Sequence, residues 1–194
     1  MTMKTALSVL LGIAILAPLS SGCVSICGSD SGLKDDGSYY TKLEWSDTTT
    51  TDPETWVANV VDGNLENPGK VWCAPSAKFA NAVLSFFGKE RKVELIRVNQ
   101  NIGTKSAAVN FTKHMSVYFS SDDRGCSIGD QNAKINKIQW DKILDLNLEN
   151  KKGWAEFKFP KRISAKYIRI ELEGNYSPDG KTTEIDIGEV KLYP

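Results

Sequence analysis

The run Lys166-Tyr167-Ile168-Arg169-Ile170-Glu171-Leu172-Glu173 alternates strictly, with Ile168, Ile170 and Leu172 on one side and Arg169, Glu171 and Glu173 on the other. Successive side chains leave a strand on opposite faces, so this run can bury its apolar side in a core only as a β-strand wetted on its other face. Ile185 to Leu192 repeats the pattern, and Gly188 interrupts it in mid-run. An isolated glycine in a strand pattern marks a bulge or a close backbone approach. From Lys42 onward no long helical period competes. Short β-branched and aromatic runs are separated by Gly, Asn, Asp, Ser and Pro, which is the pattern of an all-β domain. The runs at 71–74, 82–87, 92–99, 115–120, 135–140, 155–159, 167–173 and 185–193 predict about eight strands, enough for a β-sandwich. The one short helix the pattern allows begins with Asp52 as its cap and Pro53 in its first turn, and reaches Val61. It leads into the turn signal Asp62-Gly63-Asn64.

The amino terminus has a different character. Lys4 is followed by an apolar stretch from Ala6 to Leu19 and then by Ser20, Ser21 and Gly22 before Cys23. That order is an export signal, and its apolar part is shorter than the about 20 residues a helix needs to cross a bilayer. Leu19-Ser20-Ser21-Gly22-Cys23 resembles the lipobox of bacterial lipoproteins, with Ser20 departing from the usual small aliphatic residue. The resemblance implies that residues 1–22 are a signal peptide and that Cys23 is lipidated. A soluble secreted protein cut near Gly22 is the alternative. Because no later segment is long and apolar enough to span a membrane, acyl chains on Cys23 would be the attachment. Each buried methylene contributes roughly 0.8 kcal/mol. The expected location is the cell envelope, with the outer membrane or cell surface ahead of the inner membrane.

Residues 23–41, rich in Gly, Ser and Asp, are expected to be a flexible tether, and 42–194 a single domain of common size. Removing residues 1–22 loses only Lys4 and leaves 23 basic against 24 acidic residues, without the basic excess that nucleic-acid binding requires. Of the four cysteines, Cys73 and Cys126 fall inside the globular part, and export permits a disulfide between them. Cys27 would then be the odd thiol in the tether.

A family resemblance follows from three motifs in order. Asn59-Val60-Val61-Asp62-Gly63-Asn64 precedes Trp72, a middle of strands follows, and Ile187-Gly188-Glu189-Val190-Lys191-Leu192-Tyr193 closes the chain. From Lys42 to Pro194 the chain resembles the discoidin, or coagulation factor 5/8 type C, group of galactose-binding-like jelly rolls. Val93 to Ser106, Lys113 to Phe119, Tyr167 to Ile170 and Tyr176 are similar to the NADase-type glycan-binding subgroup within it. Asn101-Ile102-Gly103 and Gly188 depart from that subgroup, in regions that bear on ligand preference more than on fold. The resemblance implies a structural Ca²⁺ held between the turn and the last strand, by Asp62 and Glu189. The other reading is that Asp62 caps a turn and Glu189 is solvated.

Little else in the chain carries chemistry. His114 is the only histidine, and no nucleophile motif surrounds it. Phosphate-binding glycine loops and His/Cys clusters with zinc spacing are missing from the sequence. Sugar rings stack on aromatic faces, which directs attention to the five tryptophans. Trp72 and Trp56 suit the core, whereas Trp154, beside Lys151-Lys152-Gly153, and Tyr176, in a turn-rich loop, are placed for exposure. Arg124, in the polar loop ending at Cys126, is a third ligand candidate. The expected function is that of a non-catalytic module recognising a glycan or an envelope or host macromolecule. A structural lipoprotein with a protein partner, and an enzyme with an unrecognised carboxylate site, are the alternatives.

Overall fold

The computed structural model describes residues 32–48, 57–63, 71–74, 79–100, 110–122, 137–178 and 184–194. Among them are ten strands: β1 (Lys42–Ser46), β2 (Trp72–Ala74), β3 (Phe79–Ser85), β4 (Arg91–Asn99), β5 (Thr112–Ser120), β6 (Asp141–Asn147), β7 (Trp154–Ala165), β8 (Tyr167–Asn175), β9 (Ile185–Ile187) and β10 (Glu189–Tyr193). They form a five-stranded sheet ordered β1-β3-β8-β5-β6, a three-stranded sheet ordered β10-β4-β7, and the pair β2-β9. All of these pairings are antiparallel. This is the all-β jelly-roll sandwich that the sequence predicts.

The alternating run forms β8, at the centre of the larger sheet. Its apolar side is buried: Ile170 lies opposite Ala82 of β3 and Val117 of β5, and Leu172 opposite Ala80 and Met115. These side chains meet Val93, Ile96, Val98, Val190 and Leu192 of the smaller sheet in one core. Full burial of a side chain such as Ile170 contributes about 1.5–3 kcal/mol. Trp72 is also fully buried, as expected, and its indole N–H donates to Thr48 Oγ1 at 2.9 Å. Trp56 lies outside the described residues.

Gly188 marks where the chain leaves one sheet for another. β9 pairs with β2 and β10 pairs with β4, so the expected single strand 185–193 is two strands joined at that glycine. The Gly188 N–H donates to the Asn99 carbonyl at 2.9 Å, which is the close backbone approach its position implies.

Three expectations need correction. Of the strand expected at 135–140, residues 135–136 lie outside the described set, 137–140 form no strand, and the strand begins instead at Asp141. β6 is an edge strand carrying adjacent Ile143 and Leu144, and its register against β5 slips between Val117 and Tyr118, so it shows no clean alternation. β1 escapes recognition for a related reason. A register shift between Leu43 and Trp45 lets Leu43 join the main core while Trp45 packs on Val83, Ile138 and Tyr167 across the sheet. The short helix is a 3-10 turn over Val57–Val61, and residues 51–56 lie outside the described set.

The folded body also begins before residue 42. Leu33 bridges to Tyr39, and the Tyr39 N–H donates to the Leu192 carbonyl. The Tyr39 ring is buried edge-on against Phe86, and its hydroxyl donates to the Lys92 carbonyl at 2.8 Å. An aromatic residue inside a polar stretch thus anchors the end of what reads as tether. No helix among the described residues is long and apolar enough to cross a membrane.

Candidate functional site

Strand pairing gathers several chain segments at one end of the sandwich. Asn99 of β4 faces Trp154 of β7, Asn147 of β6 faces His114 of β5, and Asn175 of β8 faces Thr112 of β5. The segments following β4, β6 and β8 therefore emerge together. Between the edge strands β6 and β7 lies a cleft of about 300 Å³, with Leu148, Val98 and Phe157 as apolar walls and Gln100, Glu149, Lys151, Lys152 and Trp154 around them. Its rim is fixed by backbone bonds. The Gln100 N–H donates to the Gly153 carbonyl at 3.0 Å, and the Leu148 N–H donates to the Lys113 carbonyl at 2.9 Å. Gly153 makes its turn at φ +112°, a conformation that side-chain-bearing residues rarely adopt.

Of the three residues expected to bind ligand, Trp154 lines the cleft and Tyr176 stands behind its wall. Trp154 lines the cleft, half-buried, with the Arg97 guanidinium 5.2 Å and the Lys191 ammonium 5.3 Å from its ring centre. Such cation contacts orient an aromatic ring without burying it. Tyr176 packs beside Val71, Phe111 and Cys73, and its hydroxyl donates to the Leu148 carbonyl in the cleft wall. Arg124 lies outside the described residues. Gln100 and Glu149 were not foreseen, because nothing local in the sequence shows that they share a rim with Trp154. The cleft combines an apolar floor, an aromatic edge, charged groups and amide groups, which is the mixture that holds a polar ring compound by stacking and hydrogen bonds.

The turn that follows Asp62 meets Glu189 through Gly63. Glu189, at the start of β10, is 1 % exposed, and one carboxylate oxygen, Oε2, accepts the Gly63 N–H at 3.2 Å. Gly63 sits at φ +73°, so the turn after Asp62 depends on glycine. The other oxygen, Oε1, is buried and has no hydrogen-bond partner among the described residues. Burial pushes the Glu189 carboxyl up to about 7; the Asp62 charge adds to this, while Lys34, the Gly63 N–H and Lys191 oppose it. A buried carboxylate with a vacant oxygen beside an acidic turn suits a hard cation, which prefers oxygen donors. The solvated reading of Glu189 is therefore wrong, since the strand end is covered by the turn.

A second acidic cluster was not legible in the sequence. Cys73 of β2 lies opposite Asp186 of β9, and Glu184 joins them, with their ligand atoms all within 4.8 Å of one another. Burial, and then the Asp186 and Glu184 carboxylates, hold the Cys73 thiol well above its usual range. Among the described residues Cys73 has no disulfide partner, and its expected one, Cys126, lies outside them. Cys23 and Cys27 also lie outside them. His114 stands on the outer face of the larger sheet, with Nε2 3.2 Å from Asp145 and Nδ1 3.8 Å from Glu173. Both ring nitrogens face carboxylates.

The fold is that of the discoidin-like, galactose-binding-like jelly rolls, with a cleft at one end of the sandwich. No family model matches the sequence, and no curated protein matches it. Solved structures do match. The family 32 carbohydrate-binding module of Streptococcus pneumoniae EndoD is 15% identical with TM-score 0.59, covering 79% of this chain and 94% of that one. The family 32 module of Clostridium perfringens NanJ, solved with galactose, is 13% identical with TM-score 0.58, covering 80% and 94%. The C-terminal domain of a Bacteroides fragilis chitobiase is 16% identical with TM-score 0.57, again covering 80% and 94%. The chain has the fold of the family 32 carbohydrate-binding modules.

Proposed function

We propose that this chain is a non-catalytic glycan-binding module, lipidated on Cys23 and displayed on a bacterial envelope. The observation that carries the proposal is the cleft at the sandwich end, where Trp154 offers a ring edge and Gln100, Glu149, Lys151 and Lys152 offer hydrogen-bonding groups. Neighbours in fold lend support: one was solved with galactose, another with GalNAc-β-1,3-galactose, and a third with 4,5-unsaturated mannuronic acid. A Ca²⁺ ion held by Asp62 and Glu189 would brace the turn against β10 and neutralise the buried carboxylate. In this reading the outer membrane or the cell surface is the site of display. The acyl chains hold the protein there, and the cleft supplies recognition.

A glycan array probed with the full chain, with and without Ca²⁺, tests the proposal. Binding to a defined sugar class that Trp154→Ala weakens at least about tenfold, the equivalent of about 1.4 kcal/mol, is the expected result. No binding to any sugar, together with co-purification of a stoichiometric protein partner, would replace this reading with a structural one. Anchoring is tested separately: Cys23→Ser should move the protein from the membrane to the soluble fraction.

A further inference from the structure

We infer that the end of the sandwich opposite the cleft is a membrane-docking surface, where Phe87 and Tyr40 enter the interface of an anionic lipid bilayer and nearby basic residues meet its headgroups. The inference rests on the reading of Cys23 as lipidated, which brings a bilayer within reach. Strand register sets the two ends. Trp154 stands opposite Asn99 and Asn175 opposite Thr112 at the cleft end. At the other end Arg91 stands opposite Ala165, Ser85 opposite Tyr167, and Lys42 opposite Ser85. β8 covers the distance in nine residues, about 26 Å at about 3.3 Å each. Phe87, two residues after Ser85, and Tyr40, two before Lys42, therefore leave β3 and β1 at the end away from the cleft.

Phe87 is a strained outlier. The Lys89 N–H donates to the Phe86 carbonyl at 3.1 Å, closing a turn whose central residues, Phe87 and Gly88, have φ of +56° and +77°. Asn, Asp and Gly dominate such positions, and a bulky side chain there is strained. Among the described residues Phe87 is the one non-glycine with positive φ. The core does not require its ring: Phe86 is buried, whereas Phe87 is 61 % exposed. A ring that is both strained and solvated has its use against something outside the domain. Tyr40 is 47 % exposed, with the Lys34 ammonium 5.8 Å from its ring centre.

Chain position and charge both select a bilayer as that partner. Gly32, at φ +61°, lies so close to the Arg91 guanidinium that a side chain there would collide with it. The body therefore begins beside Arg91, and the nine residues back to Cys23 reach at most about 30 Å. Around Tyr39 stand Arg91, whose guanidinium is 5.7 Å from the ring centre, Arg162, whose charge acts on the hydroxyl, and Lys92, whose carbonyl accepts that hydroxyl. With Lys34 and Lys89 these make five basic groups against three acidic ones, Asp35, Asp36 and Glu90. Asp36 is already bound by Lys191 and Ser38, and Glu90 accepts the Ser121 hydroxyl at 3.1 Å. Basic groups beside aromatic rings suit anionic headgroups over an apolar interior. Docking at this end points the cleft away from the lipid.

The test uses the purified protein on phosphatidylcholine vesicles that contain phosphatidylglycerol and carry bromine on their acyl chains as a quencher. One tryptophan is added at Phe87 or, as a control, at Phe79, which is 53 % exposed at the cleft end opposite Glu173. We expect the emission added by Phe87→Trp to be quenched at least about threefold more than that added by Phe79→Trp. Phe87→Gly suits the positive φ of the turn, so it should unfold at no lower temperature than the wild type. In a Tyr40→Trp background it should nevertheless reduce quenching of the added tryptophan. Equal quenching of the Phe87→Trp and Phe79→Trp variants, quenching of neither, or self-association in solution that Phe87→Gly abolishes would overturn the inference. A mature protein without acyl mass on Cys23 would refute the lipoprotein reading separately. Co-sedimentation with the same vesicles then decides the docking surface: pelleting that Phe87→Gly abolishes upholds it, and no pelleting overturns it.

Discussion

Replacing Glu189 with Gln tests how the turn and the last strand are held. The wild-type carboxyl is pushed by burial from an ordinary 4.5 to about 7. A raised carboxyl binds its proton more tightly in the folded chain than in the unfolded one. Below about pH 4.5 both forms are protonated and the group exerts no penalty. As pH rises through the window from 4.5 to 7 the unfolded chain ionises first, and above 7 the folded chain carries a buried charge. With each unit worth 1.36 kcal/mol, the penalty approaches about 3 kcal/mol at about pH 8.5. The substituted amide cannot ionise, although its nitrogen would occupy the place of Oε1 and add a pH-independent cost of about 1–3 kcal/mol. The readout is therefore the pH dependence and not the absolute stability. Thermal unfolding in chelator at about pH 5 and about pH 8.5 should show the wild type losing about 6–12 °C more than Glu189→Gln, at about 2–4 °C per kcal/mol for a chain of this size. Adding Ca²⁺ at about 100 times its dissociation constant should return about 2.7 kcal/mol at the higher pH to the wild type alone. Parallel pH profiles in chelator would refute the burial argument; a Ca²⁺ shift preserved in the variant would refute the ligand assignment.

Two further substitutions probe the frame. Ile170→Ala, at the centre of β8, removes a fully buried side chain packed between Ala82 and Val117, and urea unfolding should show a loss of about 2–5 kcal/mol without a change of ligand. Tyr176→Phe deletes only the hydroxyl that donates to the Leu148 carbonyl, so a loss of about 1 kcal/mol in stability is expected, with any glycan affinity weakened through the displaced cleft wall.

The parts of the fold legible in the sequence are those in which one strand faces one core. β8 shows this well: its period is intact because it sits mid-sheet, with an apolar layer on one side and Arg169 paired with Glu171 on the other. The strands that were missed, β1 and β6, are edge strands with register slips, and a slip of one residue sends the next side chain to the other face. Tyr39 was hidden for another reason. A single aromatic residue among polar ones leaves no period, and its packing on Phe86 and its bonds to Leu192 and Lys92 are what tie this segment to the body.

The site divides in the same way. Asp62 and Glu189 could be paired because each belongs to a motif of the resembled family, while the burial that makes Glu189 reactive to a cation belongs to the turn that covers it. Trp154 and Tyr176 could be named as candidates from their loops, but not that both are half-buried or that Tyr176 bonds the Leu148 carbonyl of the cleft wall. The Cys73, Glu184 and Asp186 cluster had no linear signature at all, since its members lie on strands brought together by the β2-β9 pairing. The sequence by itself determined the strand class and the interruption at Gly188, because period and glycine act over a few neighbouring residues. Only the tertiary structure decided which strand ends share a cleft, which carboxylate is buried and which thiol faces two acids, because those depend on pairings between distant segments whose register no local pattern encodes.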